Sequence, residues 1–119
     1  SRLAALPPII AYAKWCLPDT LPPSMDAGFP SERTAKLERL YVDYEWHGAG
    51  IAQQLMATCL QAAKDAGCLF IWLSVWPDNA RAVRFYEKWG FQRAGVYPFY
   101  VTPSVMAEDW IMVRSLSST

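Results

Sequence analysis

The sequence predicts a single α/β domain of the α+β kind, with helices packed on a mixed sheet. Three observations carry this. Strand-like and helix-like patterns alternate through the middle of the chain, two strand candidates close it, and its 119 residues are one domain's worth. The elements follow in order.

Residues 9–16 read as a strand, because Ile9, Ile10, Tyr12, Trp15 and Cys16 make an apolar, β-forming run behind Pro7 and Pro8. Residues 17–34 read as a loop, since Pro18, Pro22, Pro23, Pro30 and Gly28 oppose regular structure. A loop of that length is expected to be functional. Residues 35–42 form a second strand through Leu37, Leu40, Tyr41 and Val42, and residues 43–50 a turn with Gly48 and Gly50. A helix starts at Ile51: Leu55, Cys59, Leu60 and Ala63 recur at helical spacing, and Gly67 ends it as a C′ residue. Residues 69–76 are almost continuously apolar, as an interior strand would be. Pro77, Asp78 and Asn79 supply a turn and an N-cap for a second helix, whose apolar face is Ala82, Val83, Phe85, Tyr86 and Trp89 and whose stop is Gly90. Strand candidates lie near 96–101 and 110–113, with Pro98 and Pro103 interrupting, and 115–119 is a polar tail. The strand–helix–strand–helix core implies parallel neighbours through right-handed crossovers, and the closing pair an antiparallel addition.

Hydrophobic residues make up 53% of the chain and charged residues 18%, the balance of a folded globular protein. Eleven Lys and Arg offset eleven Asp and Glu, so no strong field invites nucleic acid or an anionic membrane, and both partners are set aside. Cys16, Cys59 and Cys68 form no CxxC pair and suggest neither a disulfide framework nor a zinc site. Cys59 and Cys68 read as core residues in a reducing, cytoplasmic setting. One histidine leaves little material for a metal cluster or a Ser-His-Asp triad. No run approaches the ~20 apolar residues of a membrane span, and no signal peptide is evident.

His47-Gly48-Ala49-Gly50-Ile51-Ala52 joins a strand to a helix N-terminus. Amides there are unpaired and carry the positive end of the helix dipole, which favours a phosphate or pyrophosphate. The plainer reading is a turn whose glycines take positive φ. No Gly-Lys-Ser/Thr triplet follows, and Gln53 stands where a dinucleotide fingerprint needs its third glycine, so both familiar phosphate loops are excluded.

Leu40-Tyr41-Val42, four residues, and then His47 to Ala52 resemble motif A of the GNAT superfamily of acetyltransferases, Arg/Gln-x-x-Gly-x-Gly/Ala. Gly50 and Ala52 match, and His47 takes the Arg/Gln place. The stretch from Asn79 to Phe91 resembles motif B, Asn-x-x-Ala-x-x-Phe-Tyr-x-Lys-x-Gly-Phe. The close likeness covers residues 35–91, about half of the chain.

The resemblance implies a mostly antiparallel sheet with a central parallel pair splayed for CoA, and acetyl-CoA as co-substrate. It puts the backbone of Leu40, Tyr41 and Val42 against the pantetheine arm, the phosphates on His47, Gly48, Ala49, Gly50, Ile51 and Ala52, and the Asn79 side chain on the cofactor. Tyr86 would be the general acid that protonates the thiolate leaving under attack by an amine, and backbone N–H groups of the opened strand would polarise the carbonyl. The structural alternative for Tyr86 is a core aromatic beside Phe85. Glu38 is a candidate base, since Ser74 stands where many members carry Glu; water is the other candidate. Val75-Trp76, Gly95-x-x-Pro98-Phe99 and Asp109-x-Ile111-Met112 resemble the bacterial spermidine/spermine acetyltransferase branch, which implies a small primary amine or polyamine. Glu38, Asp43, Glu45, Glu108 and Asp109 are the carboxylates available to it. A member of this family usually has a strand and two helices ahead of the strand at Ile9, so the front of the domain is expected to be missing here, leaving apolar surface for a homodimer. The alternative is a catalytically weak CoA-binding or regulatory module on the same fold.

Overall fold

The apolar run at residues 70–75 becomes the middle strand of a five-stranded sheet in the computed structural model, which describes residues 10–18, 20–26 and 28–116. The strands are β1 (Ala11–Cys16), β2 (Thr34–Val42), β3 (Phe70–Val75), β4 (Gln92–Thr102) and β5 (Val105–Ser115), in the order β1-β2-β3-β5-β4. The helices are α1 (Pro23–Asp26), α2 (Ile51–Asp65) and α3 (Ala80–Lys88). Only β2 and β3 are parallel; the other three pairings are antiparallel. The crossover through α3 therefore does not give a second parallel pair, as the alternating core implied. Thr102 and Val105 pair across a turn at Pro103 and Ser104, which folds β5 back into the slot beside β3.

Alternation along β3 divides the core. Ile71, Leu73 and Val75 join Met56, Cys59, Leu60 and Ala63 of α2 and partly buried residues of α3 in one cluster. Trp72 faces the other way and packs with Leu21, Met25, Ile111 and Val113. That second cluster, with two short elements, corrects the reading of 17–34 as a loop. Pro23 is tolerated in the first turn of α1, and Met25 is 1% exposed against the sheet. A short 3-10 turn, Ser31–Arg33, then leads into β2. The prolines forbade a long element but not two short ones.

Both closing strands are longer than expected, eleven residues each. Pro98 sits inside β4 because β4 is a sheet edge, where a missing N–H costs no ladder bond. Ser115 belongs to β5 and Leu116 is buried, so the polar tail shrinks to 117–119, which with Ile9 lies outside the described residues.

Helices α2 and α3 end alike. Gly67 and Gly90 take φ of +87° and +88°, left-handed values that favour glycine. After each, the next amide bonds back to the helix: Cys68 N–H to the Ala63 carbonyl at 3.0 Å, and Phe91 N–H to the Tyr86 carbonyl at 3.1 Å. These are Schellman closures, and each carries its own hydrophobic residue into the core, Cys68 and Phe91.

Candidate functional site

The parallel pair comes apart soon after it forms. β2 and β3 are in register at Thr34–Phe70, Ala35–Ile71 and Lys36–Trp72 only, although β2 continues to Val42 and β3 to Val75. Opposite β1, the partner of Lys14 is Arg39 and that of Trp15 is Leu37, so Glu38 is bulged out. The bulge shifts the alternation of β2 by one residue. Ahead of it Ala35 and Leu37 enter the helix-side core; beyond it Leu40 and Val42 turn to that side and line a cleft.

The cleft, of about 670 Å³, is walled by the end of β2, the turn after it, the start of α2 and the length of α3. It brings together Leu40, Val42, His47, Gly48, Gly50, Ile51, Ala52, Asn79 and Tyr86. Tyr41 and Ala49 are not among its walls. The bulge turns the Tyr41 side chain to the opposite side, where its ring lies 5.5 Å from that of Tyr12.

The glycine turn is built for close approach. Gly48 and Gly50 have φ of +86° and +80°, and a Cβ on either would meet nothing within 4 Å. Backbone conformation, not crowding, selects glycine here, and the space beside it is open. Gly50 is the N-cap of α2 and provides no side-chain cap, so the first amides of this fifteen-residue helix are left with their dipole for a ligand. An anionic group fits these donors. His47 does not contribute its ring to them: its Nε2 lies 2.8 Å from the Val42 carbonyl and ties the turn back to the end of β2.

Helix α3 begins differently. The Asn79 side-chain oxygen accepts from the Ala82 amide at 3.2 Å, a cap that uses the oxygen and not the NH2. Two turns on, Tyr86 is held between aromatic rings, Phe85 at 5.7 Å and Phe91 at 5.8 Å. The Phe91 contact is delivered by the turn at Gly90, which gives the spacing from Tyr86 to Gly90 and Phe91 a structural purpose. Burial raises the Tyr86 phenol above its ordinary pKa, so it stays protonated through the neutral range, as a proton donor must.

The candidate carboxylates separate. Glu38 accepts from the Cys16 thiol at 3.2 Å and pairs with Lys14 at 3.1 Å. The thiol hydrogen bond, then the lysine, hold its carboxyl below the usual range, which makes it a weaker base. Asp43 accepts from the Glu45 amide within the turn. Asp109 lies two residues before Ile111 on β5 and so shares its sheet face, the side away from α2 and α3, and burial raises its carboxyl. Among the described residues, no group of three or more His, Cys, Asp and Glu could hold a metal ion, and no helix is long and apolar enough to cross a membrane.

Several wall residues escaped the sequence reading: Trp46, Gln53, Arg81, Arg84, Lys88 and Trp89. The helical spacing of Arg81, Arg84 and Lys88 was a visible signal, but which face of α3 they share with the cleft depends on how the helix docks.

Residues 9–91, more than half of the chain, match the Acetyltransferase (GNAT) family. An uncharacterized N-acetyltransferase of Mycobacterium tuberculosis (strain ATCC 25618 / H37Rv) is 40% identical over 85 residues, 71% of this chain and 54% of that protein. The spermine/spermidine N(1)-acetyltransferase of Bacillus subtilis (strain 168) is 31% identical over 64 residues, 53% of this chain and 42% of that protein. Among solved structures, yncA from Salmonella typhimurium with its cofactor acetyl-CoA superposes with a TM-score of 0.71 at 18% identity, over 92% of this chain and 60% of that one, a likeness of fold. The chain spans about half the length of the first of these relatives. Its splayed strand pair, its glycine-capped helix and its match over residues 9–91 have one explanation: this chain belongs to the GNAT acetyltransferase family.

Proposed function

We propose that this chain carries the acetyl-CoA half of an N-acetyltransferase that moves an acetyl group to a primary amine. One observation carries the reading: β2 and β3 part after Lys36 and Trp72, and the end of β2 beyond that point lines a cleft with the uncapped start of α2 and Tyr86. A thioester in that opening has its carbonyl near strand amides freed by the parting, and the glycine turn receives the phosphates.

The chemistry balances on this chain's own groups. The amine nitrogen bonds to the thioester carbonyl carbon, the C–S bond breaks, and the sulfur takes the Tyr86 phenol proton. The surplus proton on nitrogen leaves to water, and the phenol is reprotonated from solvent. Glu38 is left out as base, given its Cys16 and Lys14 partners. Asp109, half-buried on the sheet face away from α2 and α3, is the carboxylate we assign to a cationic acceptor. The likeness to a spermine/spermidine enzyme makes polyamines the first acceptors to try. A cytoplasmic site of action belongs to this reading, and so does self-association through exposed aromatic surface such as Tyr12 and Tyr41.

Calorimetric titration with acetyl-CoA tests the base of the proposal, and thiol release with an amine panel tests the chemistry. Saturable binding followed by amine-dependent release of CoA is expected. A folded chain that does not bind acetyl-CoA would sink the proposal. Binding without turnover of any amine would favour the second reading, a CoA-binding module of weak activity, which the His47 departure supports.

A further inference from the structure

Among the described residues, strand β1 lines no part of the cleft, yet it grips the residue that shapes it. The register between β1 and β2 shifts between Lys14 and Trp15, and Glu38 is the extra residue of β2 at that point. Lys14 and Cys16 straddle the shift, two residues apart and so on one face of the sheet. Each takes one oxygen of the Glu38 carboxylate: the Cys16 thiol donates to Oε1 at 3.2 Å, and Lys14 Nζ lies 3.1 Å from Oε2. Burial, then the carboxylate itself, raise the Cys16 thiol above its ordinary pKa, so it keeps the proton it donates. A thiol is a weak donor, and a charged acceptor strengthens its bond. The bulge decides the cleft wall. In an unbulged β2, alternation from Leu37 would turn Arg39 and Tyr41 to the helix side and take Leu40 and Val42 out of the cleft.

We propose that Lys14, Cys16 and Glu38 form a clamp that holds the β2 bulge, which makes Cys16 and Glu38 positioning residues of the cleft and gives Glu38 a role other than that of base. The inference rests on the reading that acetyl-CoA occupies the cleft. Cys16 acts through its neighbour: it bonds Glu38, Glu38 stays out of the ladder, and the backbone beyond turns Leu40 and Val42 to the ligand and Tyr41 to Tyr12. The Tyr12–Tyr41 ring contact, 5.5 Å between centroids, therefore reports the bulge with no ligand bound. Keeping the charged Arg39 off the apolar side also opposes a slip, so losing the clamp should loosen the bulge without abolishing it.

The test compares Cys16→Ala, Cys16→Ser, Glu38→Ala and the double variant Cys16→Ala/Glu38→Ala with the wild type. Calorimetry gives acetyl-CoA affinity, and the nuclear Overhauser contact between the two tyrosine rings is read in the free proteins. Cys16→Ala should weaken acetyl-CoA binding about fivefold and dim the ring contact. Cys16→Ser keeps a donor, so it should stay within about twofold of the wild type and keep the contact. Glu38→Ala should do at least as much as Cys16→Ala, and the double variant no more than Glu38→Ala alone, because Cys16 acts through Glu38. Three results overturn the inference: Cys16→Ala affinity within about twofold of wild type, a further loss from Cys16→Ala once Glu38 is gone, or an undiminished ring contact in Glu38→Ala. So does a Glu38→Ala protein that loses turnover but not affinity, which is how a base behaves. A wild type that binds no acetyl-CoA overturns instead the reading on which the inference rests, and the ring contact still decides whether the clamp exists. Should Glu38→Ala melt early, the Cys16→Ala and Cys16→Ser pair carries the comparison.

Discussion

Helices α2 and α3 flank one cleft but serve it in opposite ways. α2 begins on Gly50, with no side-chain cap and an open space where a Cβ would be. α3 begins on Asn79, whose side chain caps its own helix, and the helix then lines the cleft with Ala82, Phe85, Tyr86 and Trp89. One helix offers backbone, the other side chains. A helix that starts on glycine forgoes only about a few tenths of a kcal/mol relative to Asn, Asp or Ser. The choice of glycine at Gly50 is understandable where the amides are kept for something outside the fold.

That contrast can be broken most severely at Tyr86. Tyr86→Phe removes the proposed proton donor and keeps the ring against Phe91, so kcat should fall about a hundredfold or more while acetyl-CoA affinity and melting temperature stay near wild type. Steady-state kinetics beside calorimetry decide this; unchanged kcat would return Tyr86 to the role of a core aromatic. The same residue sets a pH limb. In the proposed reaction the protonated phenol is the working form and burial raises its pKa, so activity should persist up to the ordinary tyrosine range, about pH 10, and be lost only above it. A limb well below that range would assign the proton to another group.

A smaller effect is expected at the other helix. Gly50→Ala forces a side chain into φ of +80°, a cost of about 1–2 kcal/mol, and sets a methyl in the open cradle. Both a lower melting temperature and weaker acetyl-CoA binding should follow. Asn79→Ala should cost about 1 kcal/mol, or a fall of about 5 °C in Tm, together with weaker cofactor binding. If the melting point falls and affinity does not, Asn79 is a cap alone. The smallest change sharpens the contrast: Gln53→Ala, on the α2 wall, should shift acetyl-CoA affinity by less than about twofold, because α2 is read by its backbone. A larger loss would mean that α2 contributes side chains after all.

Much of this was legible residue by residue. The glycines at positions 50, 67 and 90 marked a helix start and two helix ends, and each does sit at positive φ. The apolar spacing from Ile51 to Ala63 gave α2, and the continuous run at 70–75 gave the central strand. The elements under-read were those whose stability comes from elsewhere. Met25 and Leu21 build a second core cluster only because Trp72, Ile111 and Val113 present them a surface. β4 tolerates Pro98 only because nothing pairs with its outer edge.

The amino-acid order alone determined the local features: the periodicity of the helices, the closures at Gly67 and Gly90, the uncapped glycine start of α2 and the order of the two motifs. These depend on contacts within a few residues, and the sequence specifies such contacts directly. The tertiary structure alone decided where the strands part, that the bulge at Glu38 turns Leu40 and Val42 into the cleft and Tyr41 out of it, that His47 bonds the Val42 carbonyl, and that α2 and α3 line one cleft. Those are relations between segments far apart in the chain. A shift of one residue in strand register, or a rotation of one helix on the sheet, would change them all while leaving every local pattern intact.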